Sequence, residues 1–209
     1  TNATDVGDLT QARHSLAGQS SNDHGYASGA YVSTNIIDKF PFSADGNATD
    51  VGDLTVNDQY RCGTASSTHG YVHGGTPPQS NVIEKFSFSV DGNATDVGNL
   101  TTTTYGSAGS NSRTHGYRMG GYPLVNTIDK YSYTSDGNAT DAGDLIRTNR
   151  LIDGNSSATH GYAFGGQYSA PGPAVFTNDI QKFEFATDGN AADVGDLLYV
   201  GMLHAQNQA

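Results

Sequence analysis

One acidic decapeptide recurs along the chain. DGNATDVGDL begins at Asp45, DGNATDVGNL at Asp91, DGNATDAGDL at Asp136 and DGNAADVGDL at Asp188, with a truncated NATDVGDL from Asn2. The asparagines Asn2, Asn47, Asn93, Asn138 and Asn190 lie 45, 46, 45 and 52 residues apart. A second marker, HGY, opens at His24, His69, His115 and His160, in each case 22 residues after an asparagine. Insertions are therefore confined to the other half of the repeat. Self-similarity at a fixed period of this length implies small supersecondary units that bury a continuous core only by stacking.

Comparing the units with one another gives a consensus. A Gly stands six residues before each His (Gly18, Gly63, Gly109, Gly154) and a Ser three before it (Ser21, Ser66, Ser112, Ser157). Glycine pairs follow HGY at Gly74-Gly75, Gly120-Gly121 and Gly165-Gly166, with Gly29-Ala30 in the first unit. NIIDKFPF, NVIEKFSF, NTIDKYSY and NDIQKFEF come next, and they carry all four lysines of the chain, Lys39, Lys85, Lys130 and Lys182. Alternation in these segments puts Phe40 with Phe42, and Tyr131 with Tyr133, on one face of a strand. Glycine and Asp-Gly pairs bracket the runs, and no window carries a helical apolar period. Each unit is read as four strands: Gly-x-x-Ser, HGYxxGG, IxKFxF and a fourth following VGDL.

Four short antiparallel strands in about 45 residues, repeated, make an all-β chain of the β-propeller type. The hydrophobic fraction is only 35%, with 27 glycines and no tryptophan. That suffices where glycine lets neighbouring sheets approach closely. The repeat resembles the kelch-type β-propeller motif in its Gly-Gly after the second strand, the Tyr of HGY before it, the aromatic strand after it and ARHS at residues 12–15. The resemblance implies a binding scaffold more often than an enzyme. The tryptophan usual late in that motif is replaced by the pairs in KFPF and KYSY. Residues 1–209 are read as one propeller domain or an excerpt of a larger ring, with blades near 10–54, 55–100, 101–145 and 146–198 and partial strands at both ends. An excerpt of five to seven blades is the simplest expectation. A compact four- or five-bladed ring, or assembly across chains, is the alternative.

Composition removes several function classes. A net charge of −11 disfavours nucleic acid and anionic membranes, whose phosphates need clustered Lys and Arg. No run approaches a membrane span. Cys62 is the single cysteine, which rules out an intrachain disulfide. There is no HExxH, P-loop or nucleophile elbow, and no enzymatic activity is expected.

Antiparallel order sorts the connections onto two faces. The 1–2 hairpin (THG) and the 3–4 connection (DGNATDVG) share one. The 2–3 loops and the 4–1 connections share the other. The decapeptide has three readings. As a calcium loop it supplies alternate oxygens from Asp45, Asn47, Thr49 and Asp53, with Asp91, Asn93, Asp136, Asn138 and Asp144 as counterparts. As a turn, its Asn and Asp side chains bond nearby backbone amides. As a glycosylation signal it offers sequons at Asn2, Asn47, Asn93 and Asn138, joined by Asn99 in the copy from Asp91 and by Asn155 outside the decapeptide. The HGY histidines are read as turn caps, and the repeated lysines as solvent-facing protection of an outer strand. The 2–3 loops differ between units and are longest at residues 167–177. Tyr122, Tyr168, Pro173 and Phe176 are accordingly the expected contacts for a protein or glycan ligand. The expected setting is extracellular or on a virion surface, as in an adhesin or a phage tail or fibre. The rivals are a calcium-dependent lectin, an oxidase-type enzyme and an intracellular kelch scaffold.

Overall fold

The computed structural model describes residues 2–31, 34–169 and 174–200. Every regular element among them is a strand. The first sheet holds β1 (Ala17–Ser20), β2 (His24–Ala30), β3 (Thr34–Pro41) and β4 (Thr49–Asp53). The second holds β5 (Cys62–Ala65), β6 (His69–His73), β7 (Ser80–Ser87) and β8 (Thr95–Thr104). The third holds β9 (Ala108–Asn111), β10 (His115–Met119), β11 (Thr127–Ser132) and β12 (Thr140–Asp144). The fourth begins with β13 (Asp153–Ser156) and β14 (His160–Phe164). A two-stranded ribbon of β15 (Gln167–Ser169) and β16 (Ala174–Phe176) interrupts it before β17 (Asp179–Glu184) and β18 (Ala192–Asp196) complete it. Each sheet is an antiparallel meander in chain order.

Strand four is displaced from the position read in the sequence. It starts inside the decapeptide rather than after VGDL, with Thr49 opposite Lys39 and Asp50 opposite Asp38, and β8 alone among the described fourth strands runs on past it, to Thr104. A register shift between Ile36 and Asp38 absorbs the glycine of the VGD stretch.

The sheets stack in chain order, with first strands β1, β5, β9 and β13 alongside one another. They line a trough of about 1540 Å³. The close approach depends on the first-strand glycines. A Cβ on Gly63 would sit 2.4 Å from the Gly18 carbonyl oxygen, one on Gly109 2.4 Å from that of Gly63, and one on Gly154 2.3 Å from that of Gly109. The core between sheets is aromatic. Tyr26 of HGY stacks on Phe88 of the next sheet with centroids 4.8 Å apart, Tyr71 on Tyr133 at 4.7 Å, and Tyr117 on Phe185 at 4.9 Å. Each such tyrosine also meets the other ring of the following Phe or Tyr pair: Tyr26 on Phe86, Tyr71 on Tyr131, Tyr117 on Phe183. Offset and edge contacts of this kind add about 0.5–1.5 kcal/mol per pair beyond burial.

The hairpin turn at HGY is closed by the serine, not by the histidine. Ser66 Oγ accepts from the His69 N–H at 3.0 Å, and Ser21, Ser112 and Ser157 do the same in their units. The ring of His69 bonds Thr68 Oγ1 at 2.9 Å. Its pKa is lowered by burial, then by nearby Lys85.

His73 is fully buried, and among the described residues neither ring nitrogen has a hydrogen-bond partner. Burial, helped by Arg118 and Arg61, lowers its pKa to about 3. The unfolded chain takes up a proton below about pH 6.5 while the folded chain does not, so stability is full above that pH and falls below it. Buried Asp58 acts in the opposite sense. Desolvation pushes its carboxyl up to about 7 against the pull of Arg61, so its contribution grows as pH falls. Urea unfolding of the wild type and His73→Phe isolates the histidine. The wild type should lose about 1–2 kcal/mol relative to the variant between pH 6.5 and 5. Parallel pH profiles would rule out this linkage.

Candidate functional site

The decapeptide is a clasp between consecutive sheets. Asn93 Oδ1 accepts the backbone N–H of Asp53 from the preceding sheet at 3.0 Å, and Ala94 N–H donates to the Asp53 carbonyl at 2.8 Å. Asn138 holds Asn99 and Asn190 holds Asp144 in the same way, each at 3.0 Å. Asn47 holds Asp8, so residues 5–9 lie on the first sheet where a preceding fourth strand would lie. Within each copy the second Asp accepts from the glycine two residues on, as Asp50 does from Gly52 at 3.1 Å.

The first aspartate of the decapeptide has a different partner. Lys39 Nζ lies 2.8 Å from Asp91, Lys85 2.6 Å from Asp136 and Lys130 2.8 Å from Asp188. The repeated lysine therefore sits on the third strand and reaches to the next sheet, where the sequence reading made it edge protection on an outer strand. Sequence reasoning also missed the acid beside it. Asp38, Glu84 and Asp129 are fully buried. Asp38 accepts from Thr10 N–H at 3.0 Å and Asp129 from Thr101 N–H at 3.2 Å, while Glu84 accepts from Thr55. Each also pairs with a buried arginine: Arg13 with Asp38, Arg61 with Glu84, Arg118 with Asp129.

These bonds engage several of the candidate calcium ligands. Asn47, Asn93 and Asn138 accept backbone amides through Oδ1, and Asp91 and Asp136 each pair one carboxylate oxygen with a lysine. Asp45 and Thr49 are exposed, and Asp53 and Asp144 are half-buried on the fourth strands. Among the described residues no three His, Cys, Asp or Glu side chains form a group able to hold a metal ion. Asn93→Ala should cost about 1 kcal/mol through the lost amide bond, and Lys85→Ala less than about 1 kcal/mol, fading in salt. Chemical denaturation of the two variants at low and high salt checks the difference.

The other face gathers side chains from different units. Backbone bridges join Gln59 to Thr76, Tyr105 to Tyr122 and Arg150 to Gln167, tying each 4–1 connection to the 2–3 loop of the same unit. They bring Tyr122 beside Tyr105, with centroids 5.1 Å apart, and Tyr105 lies 6.0 Å from Tyr60. The Arg150 guanidinium stands 5.3 Å from the Tyr122 ring centroid, held by an Nε bond of 2.8 Å to Gln167. Tyr122 is 37% exposed. The result is a row of three tyrosines capped by a cation. Its other members share a repeat position or adjoin it, a signal hidden because the residue type changes from His14 to Gln59, Tyr105 and Arg150. Ser15, Tyr60 and Leu151 hold left-handed backbone at φ 59°, 56° and 52°, where the third unit has Gly106. Such strain in non-glycine residues is retained where the surroundings impose it, often at binding surfaces.

Tyr168 and Phe176 lie on the β15–β16 ribbon. Tyr168 pairs across the ribbon with Val175, and Phe176 with Gln167, so Tyr168 and Phe176 point to opposite faces of it. Arg147 covers the Tyr168 ring at 4.9 Å. Pro173 lies outside the described residues. Cys62 is buried at the start of β5, with its thiol pKa pushed up by desolvation.

The architecture thus defines a class: an all-β repeat of four-stranded antiparallel sheets held together by constant residues at one face and varied at the other. No family model matches the sequence, and no curated protein matches it. Among solved structures the chain is similar to YjhT, with a TM-score of 0.75 at 10% sequence identity. The match covers 91% of this chain and 67% of YjhT. At that identity the likeness is one of fold.

Proposed function

We propose that the chain is a set of β-propeller blades serving as a non-enzymatic binding and structural module, with its ligand site on the face of the 2–3 loops. The observation that carries this reading is the row Tyr60–Tyr105–Tyr122–Arg150, assembled from three units on the face where the units differ. Adjacent tyrosines with tilted rings offer large, rigid, amphipathic area at low entropic cost, and a cation at the end adds polar recognition. A protein loop or a glycan fits that chemistry, and a surface setting such as an adhesin or virion fibre fits the net acidic, hydroxyl-rich chain. The kelch resemblance supports the same reading.

Screening the protein against glycan and peptide arrays, then measuring affinity for the best binder, tests it. Tyr122→Ala and Arg150→Ala should each weaken binding about tenfold or more, the loss of a central aromatic or arginine contact. EDTA should leave the affinity unchanged. Binding that vanishes in EDTA and survives both substitutions would move the site to the decapeptide and make the protein a calcium-dependent lectin.

A further inference from the structure

The interface between consecutive sheets has a polarity, and its two halves are both presented at the ends of the stack. One half is the face a sheet turns to its successor: the HGY tyrosine, the repeated lysine and the first-strand carbonyl. The other is the face it turns to its predecessor: the Phe or Tyr pair, the first Asp of the decapeptide and the first-strand glycine. Inside the molecule the halves meet three times, through Tyr26, Tyr71 and Tyr117 and through Lys39, Lys85 and Lys130.

Among the described residues, the fourth sheet presents the first half with no predecessor-type face against it. Tyr162 has no aromatic partner among the described residues, and it lines a groove of about 310 Å³ with Asn155, Ile180 and Leu197. Lys182 has no ion pair among the described residues, unlike its three counterparts. The first sheet presents the second half. Phe40 and Phe42 keep the edge-on geometry of the other pairs, at 6.1 Å against 5.9 Å for Phe86 and Phe88, yet Phe42 is 55% exposed. Asp45 is exposed, and a Cβ on Gly18 would meet nothing within 4 Å, whereas one on Gly63 or Gly109 strikes backbone.

We infer that the fourth sheet of one copy docks the first sheet of a second copy, head to tail, repeating the internal sheet–sheet interface. Tyr162 stacks on the partner's Phe40 and Phe42, Lys182 pairs with the partner's Asp45, and the Gly154 carbonyl packs on the partner's Gly18. The rim is matched as well. Residues 193–197 read DVGDL and repeat residues 5–9 letter for letter. They can therefore take over the bonds that Val6 and Asp8 make to Gly46, Asn47 and Ala48, an exchange between identical segments. The contact is heterologous, so it allows a ring or a longer array. It leaves the tyrosine row free, and its failure leaves the ligand reading standing.

Sedimentation velocity of the full chain across a concentration series tests this, with circular dichroism and melting temperature recorded for each variant. The wild type should associate as concentration rises. Gly18→Ala and Tyr162→Glu should weaken association about tenfold or more while melting like the wild type. Lys182→Asp and Asp45→Lys should each weaken it alone, and mixing the two should restore it, because each new charge then faces its opposite. A wild type that stays monomeric to its solubility limit overturns the proposal. Association that ignores Gly18→Ala and Tyr162→Glu overturns it too, by assigning the contact to another surface.

Discussion

Gly109→Ala should destabilise the protein by about 3 kcal/mol or more, and Gly18→Ala should leave the monomer's stability nearly unchanged. The two glycines hold the same repeat position. At Gly109 the added methyl would lie 2.4 Å from the Gly63 carbonyl oxygen and 2.9 Å from the Cys62 sulfur. Neither can withdraw without parting β9 from β5, and overpacking against backbone reaches the upper end of the usual cost. At Gly18 the methyl points into open space. There the alanine narrows the unfolded ensemble and adds no clash. Chemical denaturation of both variants decides the point. Equal effects would show that the stacking of first strands does not set the glycine requirement.

Arg118→Met should cost about 3–5 kcal/mol, and adding Asp129→Leu should recover most of it. The two side chains are fully buried and ion-paired, and Arg118 Nη1 also donates to the Gly120 carbonyl at 2.7 Å. Methionine fills much of the arginine's volume but leaves the buried Asp129 carboxylate without its cation, with Thr101 as its remaining donor among the described residues. The uncompensated charge dominates the loss, so removing it in the double variant should restore stability. A double variant as weak as the single would assign the cost to the lost Gly120 bond instead.

Much of the architecture was legible because it recurs. The period, the four-strand count, the alternation of KFxF and the sorting of connections onto two faces all follow from local pattern, and the sheets realise them. The start of strand four was not legible. The Asp-Gly-Asn prefix signals a turn, but nothing in TDVGD itself marks where the turn ends and pairing begins. The histidine of HGY drew attention as a turn cap through its invariance, whereas the bond is made by the serine three residues earlier. The buried acids are equally periodic, at Asp38, Glu84 and Asp129, but lie in charged segments that read as solvent-facing. Their arginines are not periodic at all. Arg13, Arg61 and Arg118 come 11, 14 and 25 residues after the nearest preceding repeat asparagine, so no comparison of units reveals them.

By itself the sequence determined that this chain builds sheets of about 45 residues each and that constant and variable residues fall on opposite faces, because side-chain periodicity and turn chemistry act over a few residues. Only the tertiary structure decided what the decapeptide does. Asn93 meets Asp53 across 40 residues and Lys39 meets Asp91 across 52, partners chosen by the stacking of one sheet on the next. The same holds for the tyrosine row, whose members come from three units. Contacts between units depend on the translation and rotation from each sheet to its neighbour, and that relation is carried by glycine-mediated backbone approach that no single repeat records.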